Sequence, residues 1–571
     1  MAENRRRSII NISRLVSSTI LLFIAFLWSI TNLLWYLGLT LNLTILFASF
    51  LFSSAYFILV GRQFIKMEWK SLIICGLALI AIFTLSFVVT SLIYDFSFDG
   101  RYYHQTAIKL LQEGWNPAYH EVGPLDYHKE AWMNNYPKGP WIYAAQLNLL
   151  MNNFWAGKSI HLLFMACVYL IGLSFFLSFD PIKNWEAGVM SLVLAANPVS
   201  IYQSTTYYVD GLVSSLYIII FLQLLSILQK KVKWGFSQIA TTISALILGF
   251  NIKFTSTVYL IILITALFLV DVALNGPLRK MFGNWKSIFI GGALGIIIIG
   301  FHPYSSNTIR HGHPFYPVFG SDRYNLEYII GNQMPKEFLE RSWLEKMWIS
   351  ISAKSNNDYS QIPSQSKLPF SISLSEIKTF KTTDVRIGGW GPLFGLMLYG
   401  SGAVWLASIF LNRRVALAGS ILVFIIILTA SLNPEAWWAR YTPQIWLIPM
   451  IVITLALLSN QLLLRIAGLA VLAVTVINIF LVSGAFYVGN YIESRQLDAK
   501  LNLLNQSHEQ ILIFYGPLDS IEIKNKFRFD YQTVPTLEDL PCPLELTIGV
   551  YYSFPACQPN SANSNLILPF F

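Results

Sequence analysis

The sequence predicts an all-α polytopic membrane protein with about thirteen transmembrane helices, followed by a small extracytoplasmic α/β domain at the C-terminus. Of its 571 residues, 55% are hydrophobic and only 12% are charged, and the mean hydropathy is +0.54. A soluble globular chain carries about 25% charged residues. In addition, several apolar runs reach the roughly 20 residues that a helix needs to cross a bilayer. Together these observations indicate a chain that passes repeatedly through a membrane.

The apolar runs define the predicted spans. They cover residues 17–38, 43–61, 71–93, 158–178, 187–203, 209–228, 236–252, 255–273, 286–303, 389–411, 415–431, 443–459 and 464–486. A further apolar run, Trp141 to Met151, is too short to cross a bilayer. We predict that this run forms an amphipathic helix lying on the outer surface of the membrane.

Basic residues cluster in the short connections between these spans, as the positive-inside rule expects of cytoplasmic loops. The clusters are Arg5, Arg6, Arg7 and Arg14; Arg62, Lys66 and Lys70; Lys230, Lys231 and Lys233; Arg279, Lys280 and Lys286; Arg413 and Arg414; and Arg465. The prediction is therefore an inner (plasma) membrane protein whose N-terminus is cytoplasmic. Loops 94–157 and 304–388 and the C-terminal tail then lie outside. Because topology explains the net charge of +9, membrane lipids are expected as partners and nucleic acid is not.

Three regions follow from this topology. Residues 1–70 contain two N-terminal helices, residues 71–486 form the main transmembrane module, and residues 487–571 form the extracytoplasmic tail with strand-like segments. Cys542 and Cys557 lie in that tail, where an oxidising compartment would permit a disulfide, although two free thiols are the alternative.

The segment Asp99-Gly-Arg-Tyr-Tyr-His104 follows an early span and opens the first large outer loop. A carboxylate at the membrane surface suits general-base chemistry. If the segment is helical, Asp95 shares one face with Asp99, and the pair could serve as general base or bind a metal. The alternative for Asp95 is a helix N-cap or a solvated loop charge. His104 is expected either to bond a substrate phosphate or sugar or to hold the loop in place. Tyr102 and Tyr103 are candidate substrate contacts.

Basic residues at the outer rim suit an anionic group. Lys253 and Arg440 flank predicted spans, and Arg310 lies in a later outer loop. Arginine binds phosphate with two parallel N–H groups, whereas lysine acts as a point charge. The alternative is that each reaches ordinary lipid headgroups. Asp210 is expected either to pair structurally with Lys253 or to orient an acceptor, and Tyr441 is a candidate substrate contact.

Two further residues, Lys138 and His313, are candidates for substrate binding. His302, His311 and His313 are weak evidence for a metal site, because the His-x-His pair lies on a loop beside Gly and Pro. No metal ligand and no required cofactor is predicted, and a divalent metal stays an alternative.

An ordered set of short motifs resembles the GT-C class of integral membrane glycosyltransferases, which includes protein O-mannosyltransferases and lipid A aminoarabinose transferases. The motifs are Asp99 with Tyr103-His104, Tyr136-Pro-Lys-Gly-Pro140, Asn197-Pro198 with Asp210, Gly312-His-Pro-Phe-Tyr-Pro317 and Arg440-Tyr-Thr-Pro443. Their order and predicted topology are similar to those of the class across residues 90–490.

The resemblance implies a GT-C-like fold, a polyprenyl-phosphate-linked sugar donor and an acceptor (a lipid, glycan or protein) that approaches from outside. It implies that Asp99 is the catalytic base, and that Arg440, with Lys253 and Arg310, binds the donor phosphate. Many relatives have two adjacent acidic residues, whereas Asp95 and Asp99 are separated here. The two helices within residues 17–61 are also additional to the usual pattern.

Two other function classes stay open at this stage. A flippase or transporter for lipid-linked sugars would need charged residues deep in the bilayer. No series of charged residues within the predicted spans is evident in the sequence. An O-antigen-type polymerase or ligase would be expected to have paired arginines in a large outer loop, and Arg323 and Arg341 are not evidently arranged in that way.

Overall fold

The computed structural model describes residues 2–125, 128–229, 234–276, 282–321, 334–357, 363–506, 511–513, 520–526, 531–533, 545–548 and 552–557. The basic residues at 230–233 and 279–280, together with Arg323 and Cys542, lie outside the described residues.

Within the described residues, nine helices are long and apolar enough to cross a membrane. They are Glu3–Tyr36, Leu43–Phe64, Trp69–Ser91, Phe154–Phe176, Asp210–Leu228, Phe254–Leu274, Phe394–Leu411, Arg413–Ser431 and Leu462–Ala499. A tenth is added if the pair Trp285–Ile299 and Phe301–His311, bent by 61°, is counted as one broken span. The chain is therefore a multi-pass helical membrane protein.

The predicted number of about thirteen spans is too high by this criterion, because three predicted spans fall on shorter helices. Residues 187–203 form two helices, Asn184–Ala195 and Pro198–Gln203, separated where Asn197 caps the second one. The helices Phe236–Phe250 and Pro443–Leu458 have fewer than 18 residues. Fifteen residues of α-helix measure only about 22 Å, less than the roughly 30 Å of a bilayer core.

Shorter helices fill the connections. They are Gly100–His104, Gln105–Gln112, Lys129–Asn135, Gly139–Met151, Lys336–Phe338, Trp343–Ser352, Leu374–Thr379 and Ile521–Lys526. No β-strand occurs in the described residues up to Gln506. Beyond it lie the strands Ile511–Ile513, Tyr531–Thr533, Glu545–Ile548 and Tyr552–Cys557. The first strand pairs in parallel with the second and antiparallel with the fourth, which pairs antiparallel with the third. A separate α/β domain stays a prediction.

The helix predicted to lie on the outer surface is instead packed inside the protein. It runs from Gly139 to Met151, and every residue from Gly139 to Asn148 is buried. A Cβ atom on Gly139 would overlap the ring of Trp28 in the first helix, so the two helices approach closely. Most side chains of the helix are apolar, and its polar residues Gln146 and Asn148 are buried as well. The prediction of an amphipathic surface helix was wrong.

Candidate functional site

Arg440 lies at the centre of a group of charged side chains contributed by distant parts of the chain. Its Nη2 donates to Asp99 Oδ2 at 2.9 Å, its Nε to Asp210 Oδ2 at 3.0 Å and its Nη1 to Asp384 Oδ2 at 3.1 Å. Only 8% of the Arg440 side chain is exposed. A buried guanidinium needs such partners, because an unpaired charge in this environment would be costly. We call Arg440, these three aspartates and Lys253 the arginine cluster.

Lys253 completes the cluster by binding the other oxygen of Asp210. Its Nζ lies 2.5 Å from Asp210 Oδ1, so the expected contact between these two residues is present. The ring of Tyr441 lies 5.0 Å from Lys253 Nζ and 5.2 Å from the Arg440 guanidinium carbon. The same guanidinium lies 4.4 Å from the ring of Tyr208 and 5.3 Å from that of Trp438. Three aromatic rings therefore lie around the Arg440 guanidinium, and one of them also contacts Lys253.

Two members of the cluster lie at the ends of helices. Asp210 is the first residue of Asp210–Leu228, where the helix dipole stabilises a negative charge. Lys253 immediately precedes Phe254–Asn275. The ends of these two spans therefore position Asp210 and Lys253.

Asp99 is the most accessible carboxylate of the cluster. Its side chain is 23% exposed, compared with 14% for Asp384 and 3% for Asp210. Burial raises the pKa of the Asp99 carboxyl above its ordinary value of 3.8, and the positive charges of Arg440 and Lys253 offset part of this rise. A raised pKa and partial exposure suit a group that exchanges protons with a substrate.

Asp95 makes its contacts away from Arg440. Its Oδ1 accepts from the backbone N–H of Ser97 at 2.9 Å, and its Oδ2 accepts from that of Tyr207 at 3.0 Å. A Cβ atom on Gly100 would overlap both this carboxylate and the Ser97 hydroxyl, so the turn requires glycine. Burial raises the pKa of Asp95 to about 6. The carboxylate is thus buried within the turn before Asp99, and its catalytic role stays a prediction.

A buried ion pair supports the same turn from the C-terminal segment. Lys158 Nζ donates to Glu522 Oε1 at 2.7 Å, and these side chains are 0% and 4% exposed. Glu522 Oε2 accepts from the backbone N–H of Asp95 at 2.9 Å. Lys158 also donates to the carbonyl of Ile93 at 2.6 Å. The tail is therefore joined to the segment that carries Asp99.

His104 and Tyr103 lie in an aromatic group next to the turn. Trp141 Nε1 donates to His104 Nδ1 at 2.6 Å, and the Tyr103 ring packs on His104, Tyr136 and Trp141. Burial lowers the pKa of His104 to about 3, so the ring is neutral at pH 7. A neutral ring that accepts at Nδ1 carries its proton on Nε2. Tyr102 packs against Phe98 and Tyr103.

The structure does not bring three predicted site residues into contact with the arginine cluster. Arg310 donates to Glu121 at 2.6 Å, and both side chains are substantially exposed. Lys138 is buried and donates to the carbonyls of Asn134 and Tyr136. His313 Nδ1 accepts from the backbone N–H of Phe315 at 3.1 Å. None of these contacts involves the arginine cluster, which consists of Asp99, Asp210, Lys253, Arg440 and the unpredicted Asp384.

Sequence reasoning missed Asp384, Trp438 and Tyr208. Asp384 lies in the polar segment 353–390, which the sequence suggested as a lid or binding loop over the site without singling out this residue, and Trp438 Nε1 donates to its Oδ1 at 2.8 Å. Asp384 precedes the Phe394–Leu411 span by ten residues, a placement similar to that of Asp99 after Trp69–Ser91. Acidic residues this close to spans were the signal that could have identified it. The aromatic residues gave no such signal, because tyrosine and tryptophan are common at membrane interfaces.

In the part of the chain that the structure describes, no group of three or more His, Cys, Asp or Glu side chains is arranged to hold a metal ion. The three aspartates of the cluster converge on a guanidinium instead. The cluster can exchange a proton at Asp99 and offers positive charge at Arg440 and Lys253. No protein-family model matches the chain, and no curated protein or solved structure is similar enough to count as a match.

Proposed function

We propose that the chain is a membrane glycosyltransferase of the GT-C class. It transfers a sugar from a polyprenyl-phosphate donor to an acceptor outside the cytoplasm, in the inner (plasma) membrane, with its N-terminus in the cytoplasm. One observation carries the proposal: Asp99 and Arg440, 341 residues apart, form an ion pair near the ends of helices that flank them. A carboxylate beside a guanidinium at the rim of a membrane bundle suits chemistry on a lipid-linked phosphate.

The reaction is a single displacement at the anomeric carbon of the donor. The acceptor oxygen or nitrogen forms a bond to C1 while the bond between C1 and the phosphate oxygen breaks. The bonding electron pair leaves with the polyprenyl phosphate, and the acceptor proton passes to a carboxylate oxygen of Asp99. Attack from the opposite face inverts the anomeric centre. Arg440 and Lys253 stabilise the charge that grows on the departing phosphate.

Because of the charge balance of the cluster, binding of the donor phosphate and release of the Asp99 carboxylate from Arg440 occur together. The cluster holds three carboxylates and two cations, and three of the five N–H groups of Arg440 already bind carboxylates. A donor phosphate therefore competes with a carboxylate for the guanidinium. Asp99, the most exposed of the three, is the one that yields. Once displaced from Arg440, its carboxylate is available to accept the acceptor proton.

The test uses purified protein in proteoliposomes containing a polyprenyl-phosphoryl sugar with a radiolabelled sugar. An enzyme of this class transfers the label to an added acceptor or releases it, whereas a flippase only moves the intact donor between leaflets. We expect Asp99→Asn to abolish transfer. The matched control, Asp180→Asn, changes an exposed aspartate in another connection and should leave transfer unchanged. Movement of intact donor without transfer would overturn the proposal.

A further inference from the structure

Large apolar side chains are exposed in two stretches of the segment that precedes the Phe394–Leu411 span. Their exposed fractions range from 42% to 71%. We call them the apolar patch: Leu344, Trp348, Leu368, Phe370, Ile372 and Leu374. The predicted topology places this segment outside the membrane, where each of these side chains would meet water. An exposed apolar surface of this kind usually marks a contact with a partner.

The two stretches lie beside each other. The first is the helix Trp343–Ser352, and the second begins at Lys367, whose backbone N–H donates to the carbonyl of Ser352 at 3.0 Å. The backbone N–H of Lys354 donates to the carbonyl of Gln365 at 2.8 Å. The chain therefore returns along the C-terminal end of the helix before it reaches the second group of apolar residues.

The first stretch packs on the protein through another face of its helix. Leu344 and Trp348 are four residues apart and share one face. Met347 is 7% exposed and Ser350 is 0% exposed. The Ser350 hydroxyl accepts from the backbone N–H of Gly388 at 3.1 Å. Because that face already contacts the chain, the face with Leu344 and Trp348 is available to a partner.

The same helix lies across the ends of two spans. Trp343 Nε1 donates to the carbonyl of Asn433, just beyond the Arg413–Ser431 span, at 3.1 Å. Asn412 alone separates that span from Phe394–Leu411, and the two helices pack together. Helices joined by so short a turn run antiparallel, so the end of the second lies on the same side of the bundle as the start of the first. The helix that begins at Trp343 therefore lies on that side.

Two contacts place the patch next to the start of the Phe394–Leu411 span. The Trp348 ring lies 6.3 Å from that of Tyr399, which is 42% exposed on the span itself. Tyr399 is five residues beyond the first residue of the span, about 8 Å along its axis. In the second stretch, Lys367 Nζ donates to the carbonyl of Pro392 at 2.5 Å, two residues before the span begins. Both stretches are therefore held against a membrane-spanning helix.

We propose that the apolar patch inserts into the membrane around the start of the Phe394–Leu411 span, so that its partner is a lipid surface. The patch continues the exposed apolar surface of this span, where Leu406 and Phe410 are 52% and 86% exposed. The depth of Tyr399, about 8 Å, falls within the roughly 5–10 Å to which interfacial helices enter the boundary between headgroups and acyl chains. Tryptophan and tyrosine, as in the contact of Trp348 with Tyr399, are typical of this level. The lipid contact does not depend on the proposed sugar transfer.

The test measures the surroundings of single spin labels in proteoliposomes by electron paramagnetic resonance. The full chain, with serine in place of its four cysteines, carries one label at a time through Trp348→Cys or Phe370→Cys. Molecular oxygen concentrates in lipid and a nickel chelate stays in water, so the ratio of their collision rates with the label reports its surroundings. Phe410→Cys is the lipid reference. Glu113→Cys, whose native side chain is 56% exposed in a charged pair, is the water reference.

We expect the ratio of oxygen to nickel collisions at positions 348 and 370 to be several times that at 113 and close to that at 410. A ratio at both positions equal to that at 113 would overturn the proposal, because the patch would then face water. Labels that neither reagent reaches would also overturn it, because a second copy of the chain or another protein would then cover the patch.

A second measurement uses the unmodified chain. Phospholipids that carry a photoactivated diazirine on the acyl chain, close to the headgroup, are incorporated into the same liposomes, and mass spectrometry locates the attached lipid. We expect attachment within residues 343–352 or 367–374 as well as on the Phe394–Leu411 span. Attachment to the span without attachment to either stretch would contradict the proposal, even if the cysteine-free chain does not fold.

Discussion

Replacing Asp99 with asparagine should separate catalysis from folding. The change removes one negative charge from the arginine cluster but leaves Arg440 paired with Asp210 and Asp384. The amide oxygen of asparagine can still accept the hydrogen bond that Arg440 Nη2 donates at 2.9 Å. The asparagine side chain cannot accept the proton of the acceptor.

The substitution should change the rate of sugar transfer much more than the free energy of unfolding. A general base contributes about 10² to 10⁴ in rate, which corresponds to roughly 3 to 5 kcal/mol of activation free energy. The free energy of unfolding should change by no more than about 1 kcal/mol, because one partly exposed ion pair is weakened while two others remain. Transfer of labelled sugar and thermal melting in detergent measure these two quantities on the same preparation.

The reasoning would be refuted if Asp99→Asn retained more than about one tenth of wild-type transfer, since a general base is worth at least about 10². It would also fail if activity and melting temperature fell together, because Asp99 would then act through folding. Asp180→Asn provides the control for a change of one charge elsewhere on the chain.

Further predictions concern charge and pH. Arg440→Gln leaves three carboxylates with one lysine, so the free energy of unfolding should fall by about 3–5 kcal/mol, and an unchanged melting temperature would contradict this. Glu522→Gln leaves the Lys158 ammonium buried without a carboxylate and should destabilise by a similar amount, whereas Glu113→Gln, in an exposed pair, should cost under about 1 kcal/mol. Because burial raises the pKa of Asp99 above 3.8 and the base must be ionised, kcat/KM should rise with pH through a value above 3.8. If kcat/KM of Asp99→Asn still rises with pH over the same acidic range, Asp99 is not the titrating base.

The sequence could predict the members of the cluster that lie next to the ends of apolar runs. Asp99, Asp210, Lys253 and Arg440 all follow this rule, because charged residues are costly inside the bilayer and gather at its edges. Their mutual contacts could not be predicted, because the contact between Asp99 and Arg440 joins segments 341 residues apart. The functional roles assigned to them stay predictions.

Two expectations failed because local pattern does not specify tertiary surroundings. Asp95 and Asp99 are four residues apart, but the backbone of Tyr207 captures the Asp95 carboxylate, and no local pattern indicates that contact. Likewise, the apolar segment Trp141 to Met151 has the same composition whether it lies on a membrane or within a protein. Only packing against Trp28 and its neighbours decides between the two.

The ion pair between Lys158 and Glu522 has a consequence for biosynthesis. The ribosome must add 364 residues after the lysine before its carboxylate exists, and during that time every candidate span from Asp210–Leu228 onward is made. A chain halted before residue 522 would lack the carboxylate that Lys158 contacts and one acceptor for the backbone N–H of Asp95. The contacts that hold the turn before Asp99 are therefore completed only after the C-terminal tail has been synthesised.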